Sequence, residues 1–290
     1  MMDYIDLHTH STASDGTFTP AELFASAVEV GLRAVALTDH DTVAGLGEFL
    51  DAGRGHPECE AIPGVELACT LCDREIHLIG LFVDRRSPAL EAFLGRCREE
   101  RARRNRDLFL KLKFLGYELS PEMPEFSSRP LDAIGRPHFA RALAARGSFA
   151  SNQAVFDKLL GTGKPAWVPR KLPAPEEAIA AIHAAGGVAV WAHPIQRDGR
   201  DRAHLNRFCR KLADWQLDGI EGYYSLFGAK ETELVTAAAA AHSLALSGGS
   251  DFHGENTPLL VLGYGAGGLR VPLDLLYGLK EKRLRYRDDG

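Results

Sequence analysis

The run Tyr4-Ile5-Asp6-Leu7-His8-Thr9-His10-Ser11-Thr12-Ala13-Ser14-Asp15 starts as a buried strand and ends in polar, metal-capable side chains. Tyr4–Leu7 reads as a strand. His8 and His10, two residues apart, project from the same face of an extended chain. Two adjacent imidazoles at a strand's C-terminal end make a bidentate grip for a metal ion. Asp15 follows in the loop. A helix then starts, with Thr19 as its N-cap, Pro20 at its first position and Glu22 completing a capping box.

The same strand–helix rhythm continues along the chain. Ala34–Leu37, Val65–Ala68, Ile76–Phe82, Val188–Trp191, Gly219–Tyr223 and Ala245–Ser247 read as further strands. Helical patterns cover 44–52, 175–185, 203–215 and 230–242. This alternation predicts an α/β fold, a parallel sheet or barrel. One connection, Cys69–Glu75, is too short for a crossover helix, so a hairpin is expected there. From about residue 88 to 165 the rhythm stops. A long helix over 88–115 leads, past Pro121, Pro124 and Pro130, to two more near 137–146 and 152–160. The expected organisation is a barrel domain over 1–90 and 166–290, with an all-α insertion over 91–165.

Composition bounds the function. The chain has 290 residues, 45% apolar and 25% charged, with a net charge of −5. That is an ordinary globular composition, and it disfavours a broad surface for coating nucleic acid. No apolar run approaches a membrane span. The acidic start lacks the basic and apolar regions of a signal peptide, and five cysteines are sparse for a disulfide scaffold. We read the chain as cytoplasmic, with reduced thiols and no membrane or obligate protein partner. Cys69-Thr70-Leu71-Cys72 has no second cysteine pair and is read as incidental.

The histidines decide the chemistry. Besides His8 and His10, His40 ends the second strand in Thr38-Asp39-His40, Glu66 lies in the third strand and His77 in the fourth. His193 ends the next strand in Ala192-His193-Pro194, and Asp251 and His253 follow the last. With Asp15, that makes nine metal-capable residues on or near strands, most of them at C-terminal ends, the rim where α/β folds build active sites. Imidazole and carboxylate without thiolate suit Mn²⁺, Fe²⁺ or Zn²⁺ better than Ca²⁺. Nine ligands exceed one ion, so two or three ions sharing a carboxylate are expected, a set suited to phosphoester hydrolysis. His56, His183, His204 and His242 fall on helices or loops and are read as surface or packing residues.

His8-Thr9-His10, Thr38-Asp39-His40, Gly64-Val65-Glu66, His77, His193-Pro194 and Asp251-Phe252-His253 resemble, in order, the motifs of the polymerase and histidinol phosphatase (PHP) family. The resemblance implies a distorted seven-stranded barrel of PHP type and up to three divalent ions, Mn²⁺ first and Zn²⁺, Fe²⁺ or Mg²⁺ as alternatives. It implies His8, His10, Glu66 and Asp251 for the first ion and Asp15, His40 and His253 for the second. Glu66, His77 and His193 would hold the third, with Glu66 as the bridge. Many family members carry histidine where this chain has Asp15.

The insertion adds a second signal. Leu90, Leu94, Cys97, Leu108, Leu112 and Leu115 form one helical stripe, and Arg101, Arg104 and Asn105 fall inside it. Polar groups on such a face need partners, either acids such as Glu99 and Glu100 or a bound anion. Arg96–Lys113 holds eight basic and three acidic residues. Arg136, in Gly135-Arg136-Pro137-His138, stands at a helix N-terminus suited to phosphate, and Lys164 follows two glycines. His138 either joins this site or caps its helix. These segments resemble the TrpH-like branch of the family, associated with removing the 3′-phosphate of nucleoside 3′,5′-bisphosphates and with releasing mononucleotides from 5′ ends of short RNA. The resemblance implies a nucleotide substrate, with short RNA as the alternative. Arg101, Arg104, Asn105, Arg136, His138 and Lys164 are then the expected contacts to a second anion. Histidinol phosphate hydrolysis, C–N hydrolysis and a non-catalytic metal-stabilised module are weaker readings. C–N hydrolases of this kind usually bridge their ions with a lysine, and no expected strand carries one.

Overall fold

The computed structural model describes residues 3–127, 129–195 and 202–286, and no side chain of 202–204. The fold is α/β. Eight strands form one nearly closed, barrel-like sheet: β1 Tyr4–Asp6, β2 Ala34–Leu37, β3 Glu60–Leu71, β4 Arg74–Leu81, β5 Val188–Ala192, β6 Gly219–Tyr224, β7 Ala245–Gly249 and β8 Val271–Pro272. Ten α-helices accompany them among the described residues: α1 Pro20–Glu29, α2 Leu46–Gly53, α3 Pro88–Phe114, α4 Pro124–Ser127, α5 Arg136–Ala145, α6 Asn152–Val155, α7 Pro175–Ala184, α8 Arg202–Asp214, α9 Ala229–Ala241 and α10 Asp274–Arg283.

The sheet order is β7-β6-β5-β4-β3-β2-β1-β8. β1, β2 and β3 run parallel, as do β5, β6 and β7, while β4 runs antiparallel between β3 and β5. The expected hairpin is therefore present, but β3 and β4 are longer than their apolar runs. Only Cys72 and Asp73 lie between the paired Leu71 and Arg74, and both have positive φ, 50° and 60°, as a tight primed turn requires. Beyond β1 the ring closes on β7. Leu7 N–H donates to Gly248 O at 3.0 Å, Asp251 N–H to His8 O at 2.9 Å and His10 N–H to Phe252 O at 2.9 Å. The seven expected strands are all present. β8, two residues antiparallel to β1, is the addition.

The first helix starts as its sequence dictates. The Thr19 side chain accepts from Glu22 N, and the Glu22 carboxylate accepts from Thr19 N at 2.8 Å. A buried core of Ile5, Leu7, Ala34, Ala36, Ile62, Ile79, Leu81, Val188, Val190 and Ala192 unites five strands, β1 to β5.

The chain divides into two compact units, one of Met1–Phe93 with Pro173–Gly290 and one of Leu94–Leu172. The second contains no strand among its described residues. Its core gathers Leu108, Phe109 and Leu112 of α3 with Phe126, Phe139, Leu143, Val155 and Leu160. The helix expected over 152–160 changes from α to π geometry at Phe156–Leu160.

Close backbone approach next to the site sets a strict size limit. A Cβ at Gly249 would collide with the Cβ and backbone of His8, whereas a Cβ at Gly95, in α3, would meet nothing within 4 Å. Gly249→Ala is expected to cost about 3 kcal/mol or more, because backbone cannot rotate away. Gly95→Ala should stabilise by roughly 0.5–1 kcal/mol. Paired chemical-denaturation curves check both signs.

Candidate metal centre

The sheet topology carries all nine expected ligands to one rim. His8 and His10 follow β1, His40 follows β2, His193 follows β5, and Asp251 and His253 follow β7. Glu66 lies within β3, where it forms a parallel bridge with His40. His77 lies near the start of its strand in sequence, not at its end. Because β4 runs antiparallel, that start lies opposite Ala68 and Ala192 at the same end of the sheet.

Glu66 sits at the centre, 1% exposed. Its carboxylate oxygens lie 3.4 Å from His8 Nε2, 3.4 Å from His10 Nε2, 2.8 Å from His40 Nδ1, 2.8 Å from His77 Nδ1 and 3.0 Å from His193 Nε2. Asp251 Oδ1 lies 3.4 Å from His8 Nε2 and 3.3 Å from His10 Nε2. Asp15 Oδ1 faces His40 at 3.8 Å and His253 at 3.4 Å.

Four groups place at least three ligand atoms within 4.8 Å of one another: His10, Asp15, His40 and His253; His8, His10 and Glu66; His8, His193 and Asp251; and His40, Glu66 and His77. They overlap the three sets that the resemblance implies, but they group His10 with the Asp15 cluster and His193 with His8 and Asp251.

The buried His8 Nε2, both nitrogens of His10 and Glu66 Oε2 make no hydrogen bond. Each such group costs about 1–3 kcal/mol if nothing satisfies it, and three of the four are atoms of the Glu66 contacts above. This orphaned set of nitrogen and oxygen donors, with no thiolate, fits divalent ions of the Mn²⁺, Fe²⁺ and Zn²⁺ type.

The electrostatics agree with that fit. Burial alone would raise Glu66, but His40, His77 and His8 hold its carboxyl well below the ordinary range. Burial would likewise raise Asp15 and Asp251, and imidazoles lower both: His40 and His253 act on Asp15, His8 and His253 on Asp251. Against burial, Glu66 carries His77 up to about 10, and Asp15 with Asp251 does the same for His253. His10 goes the other way, to about 3, through burial and its neighbours His253 and His40.

Several buried groups at the rim were not among the expected ligands. Asp39 accepts from Ser11 N, Ser11 Oγ and Ser14 Oγ at 2.8, 2.7 and 2.6 Å, which shapes the loop leading to Asp15. Asp6 accepts from Ser250 N and Gly263 N at 2.9 and 2.8 Å. Glu221, on β6, contacts His8 and His193. An acid inside a buried apolar strand signals a required partner, and Ile220-Glu221 carried that signal.

In the helical unit, Arg101 and Arg104 are buried, 9% and 6% exposed, as their place in the apolar stripe requires. Glu100, a candidate partner for them, pairs with Arg103 at 2.6 Å. The amide nitrogen of Asn105 donates to Leu131 O at 2.6 Å and Ile134 O at 2.7 Å, which fixes that loop. His138 caps its own helix, its Nδ1 accepting from Gly135 N at 3.0 Å. Arg136 opens α5, and Lys164 is exposed beside Gly161.

Of the discounted histidines, His56 pairs with Glu58 at 2.9 Å and His183 with Asp218 at 2.8 Å. His242 ends α9, and the His204 side chain lies outside the described residues. Cys69 is buried in β3 while Cys72 is exposed on the turn, and all five cysteines are free.

The PHP domain model matches residues 6–161. The chain belongs to the PHP family. Its PHP relatives include the 5′-3′ exoribonuclease Rnm of Salmonella typhimurium, 36% identical over 89% of this chain and 87% of that protein. They also include a 3′,5′-nucleoside bisphosphate phosphatase of Chromobacterium violaceum, 36% identical over 87% of this chain and 88% of the relative. Among solved structures, a Chromobacterium violaceum protein called an amidohydrolase, with bound sulfate, superposes with a TM-score of 0.85 at 31% identity over 96% of both chains. A Bifidobacterium adolescentis protein, provisionally assigned as a metal-dependent phosphoesterase, gives 0.84 at 28% identity, covering 97% of this chain and 96% of its own. The chain is thus a PHP-type phosphoesterase, and the family is metal-dependent.

Protons on His77 and His253 compete with an ion for the same nitrogens. Both are held to about 10 by carboxylates, so below that pH an incoming ion must displace a proton. Divalent-ion affinity is therefore expected to rise with pH through the range 6–9, with proton uptake by the buffer. Calorimetric titration in buffers of different ionisation enthalpy measures both effects.

Proposed function

We propose that the enzyme hydrolyses the 3′-phosphate of nucleoside 3′,5′-bisphosphates, giving the nucleoside 5′-monophosphate and phosphate. The observation that carries this reading is the contact of one buried carboxylate, Glu66, with five imidazoles at 2.8–3.4 Å. That pattern fits a centre of two or three ions, Mn²⁺ first, held by His8, His10, Asp15, His40, Glu66, His77, His193, Asp251 and His253. Such ions supply an activated water and neutralise charge building on a phosphate.

The protein's own part is to hold these donors on rigid backbone and keep the carboxylates ionised. Arg101, Arg104, Arg136, His138 and Lys164 are proposed to bring charge for a second anion, with Asn105 shaping the chain beside them. The name and 36% identity of the Chromobacterium violaceum relative support this choice of substrate.

Release of mononucleotides from 5′ ends of short RNA is the second reading. It is favoured by the exoribonuclease relatives and by the basic excess of α3. C–N hydrolysis is disfavoured, since no described strand carries a lysine and Glu66 fills the central position. A phosphate-release screen with Mn²⁺ over 3′,5′-bisphosphates, 3′-monophosphates, histidinol phosphate and short 5′-phosphorylated RNA tests the ranking. Bisphosphates are expected to lead, and equal kcat/KM for 3′-monophosphates would remove the second anchor.

Two substitutions separate the two anion sites. Glu66→Gln should lower metal content and turnover by orders of magnitude. Arg104→Ala or Arg136→Ala should lower kcat/KM for the bisphosphate about 10- to 150-fold, the equivalent of one charge-assisted contact of about 1.5–3 kcal/mol. Metal content and hydrolysis of p-nitrophenyl phosphate should stay unchanged. A parallel loss of both activities together with a lower Tm would show that these arginines serve packing.

A further inference from the structure

β6 supplies none of the nine proposed ligands, yet two of its side chains reach three of them. Glu221 is fully buried. Its Oε1 accepts from His8 Nδ1 at 3.1 Å and its Oε2 accepts from the backbone N–H of His193 at 2.7 Å. Tyr224, 6% exposed, donates its hydroxyl to Asp251 Oδ2 at 3.0 Å, and its ring packs 5.5 Å from that of His193.

Residues three apart on a regular strand point to opposite faces. Here the pairing of β6 with β7 slips between Glu221 and Tyr223. Such a bulge re-aims the following side chains and lets Glu221 and Tyr224 serve the same rim. Gly222 stands at the slip, where a Cβ would meet Leu246 Cδ2 at 2.8 Å, so a side chain there would require Leu246 to shift.

We infer that β6 is the positioning strand of the metal centre, with Glu221 orienting His8 and His193 and Tyr224 orienting Asp251. The inference rests on the proposed ligand set. With Nδ1 of His8 turned to Glu221, Nε2 is the ring nitrogen left to face an ion. That Nε2 is the buried atom without a hydrogen bond, 3.4 Å from both Glu66 and Asp251.

Tyr224 works in the same sense on the other side. With Oδ2 of Asp251 bound to the hydroxyl, Oδ1 is the oxygen turned to His8 and His10. Glu221 also steadies a strained backbone, since His193 has φ of 30°, a conformation that persists only where surrounding contacts hold it. Glutamine cannot replace Glu221 fully. It offers one acceptor atom where two N–H groups need one each.

The test is retention of Mn²⁺ by the metal-loaded protein against rising chelator concentration, in wild type, Glu221→Gln and Tyr224→Phe. Partners of this kind change metal affinity about 10- to 100-fold when lost. Glu221→Gln is expected to release Mn²⁺ at correspondingly weaker chelation, and Tyr224→Phe at an intermediate strength. Raising Mn²⁺ by the same factor should restore kcat with KM unchanged, which a general packing defect would not allow.

If both variants fold and hold Mn²⁺ as tightly as wild type, the proposal is overturned. Should Glu221→Gln fail to fold, Tyr224→Phe, which loses one hydroxyl, decides alone. A wild type that retains no Mn²⁺ overturns the ligand set itself, and with it this inference.

Discussion

A buried carboxylate is tolerable only with compensating charge, and Glu66 is compensated by five imidazoles brought from four separate segments of the chain. No local segment could supply them. The barrel is the device that does so, since parallel strands deliver their C-terminal ends to one rim. Even so, compensation within the protein is incomplete. Lone pairs on His8, His10 and Glu66 remain inside without hydrogen bonds, and that residue of unsatisfied polarity is what divalent cations would complete.

Backbone geometry supports the same centre. The two closing bonds between the stretches after β1 and β7, His10 N–H to Phe252 O and Asp251 N–H to His8 O, lie among the ligands themselves. Closure of the sheet and the site therefore share the same backbone contacts. Asp251 and His193 both carry positive φ, strain of a kind concentrated at functional sites. Gly249 permits the close approach of His8. Asp6 and Asp39, neither of them proposed to hold metal, tie down the loops on either side through backbone and serine donors.

The helical unit has a different logic. Its own core is built on three phenylalanines and the end of α3, and Arg101 and Arg104 lie buried in the same helix. PHP relatives 36% identical to this chain carry two different activity names.

Much of this was legible in the residues. Short apolar runs ending in His-x-His, Thr-Asp-His and Asp-x-His give strand, rim and ligand at once, because a two-residue period places alternate side chains on one face. The capping box at Thr19 and Glu22 needs only local bonds, so its reading carries straight into the structure. What only tertiary contacts settled lies where partners are distant in sequence. Asn105 is a donor of unstated target until Leu131 and Ile134 come beside it. Glu221 is an isolated acid in an apolar strand until a register slip in β6 and the ends of β1 and β5 place it under His8 and His193. Local periodicity reports which face a side chain takes, but a bulge or a ring closure depends on the pairing energies of strands distant in sequence, which no single segment encodes.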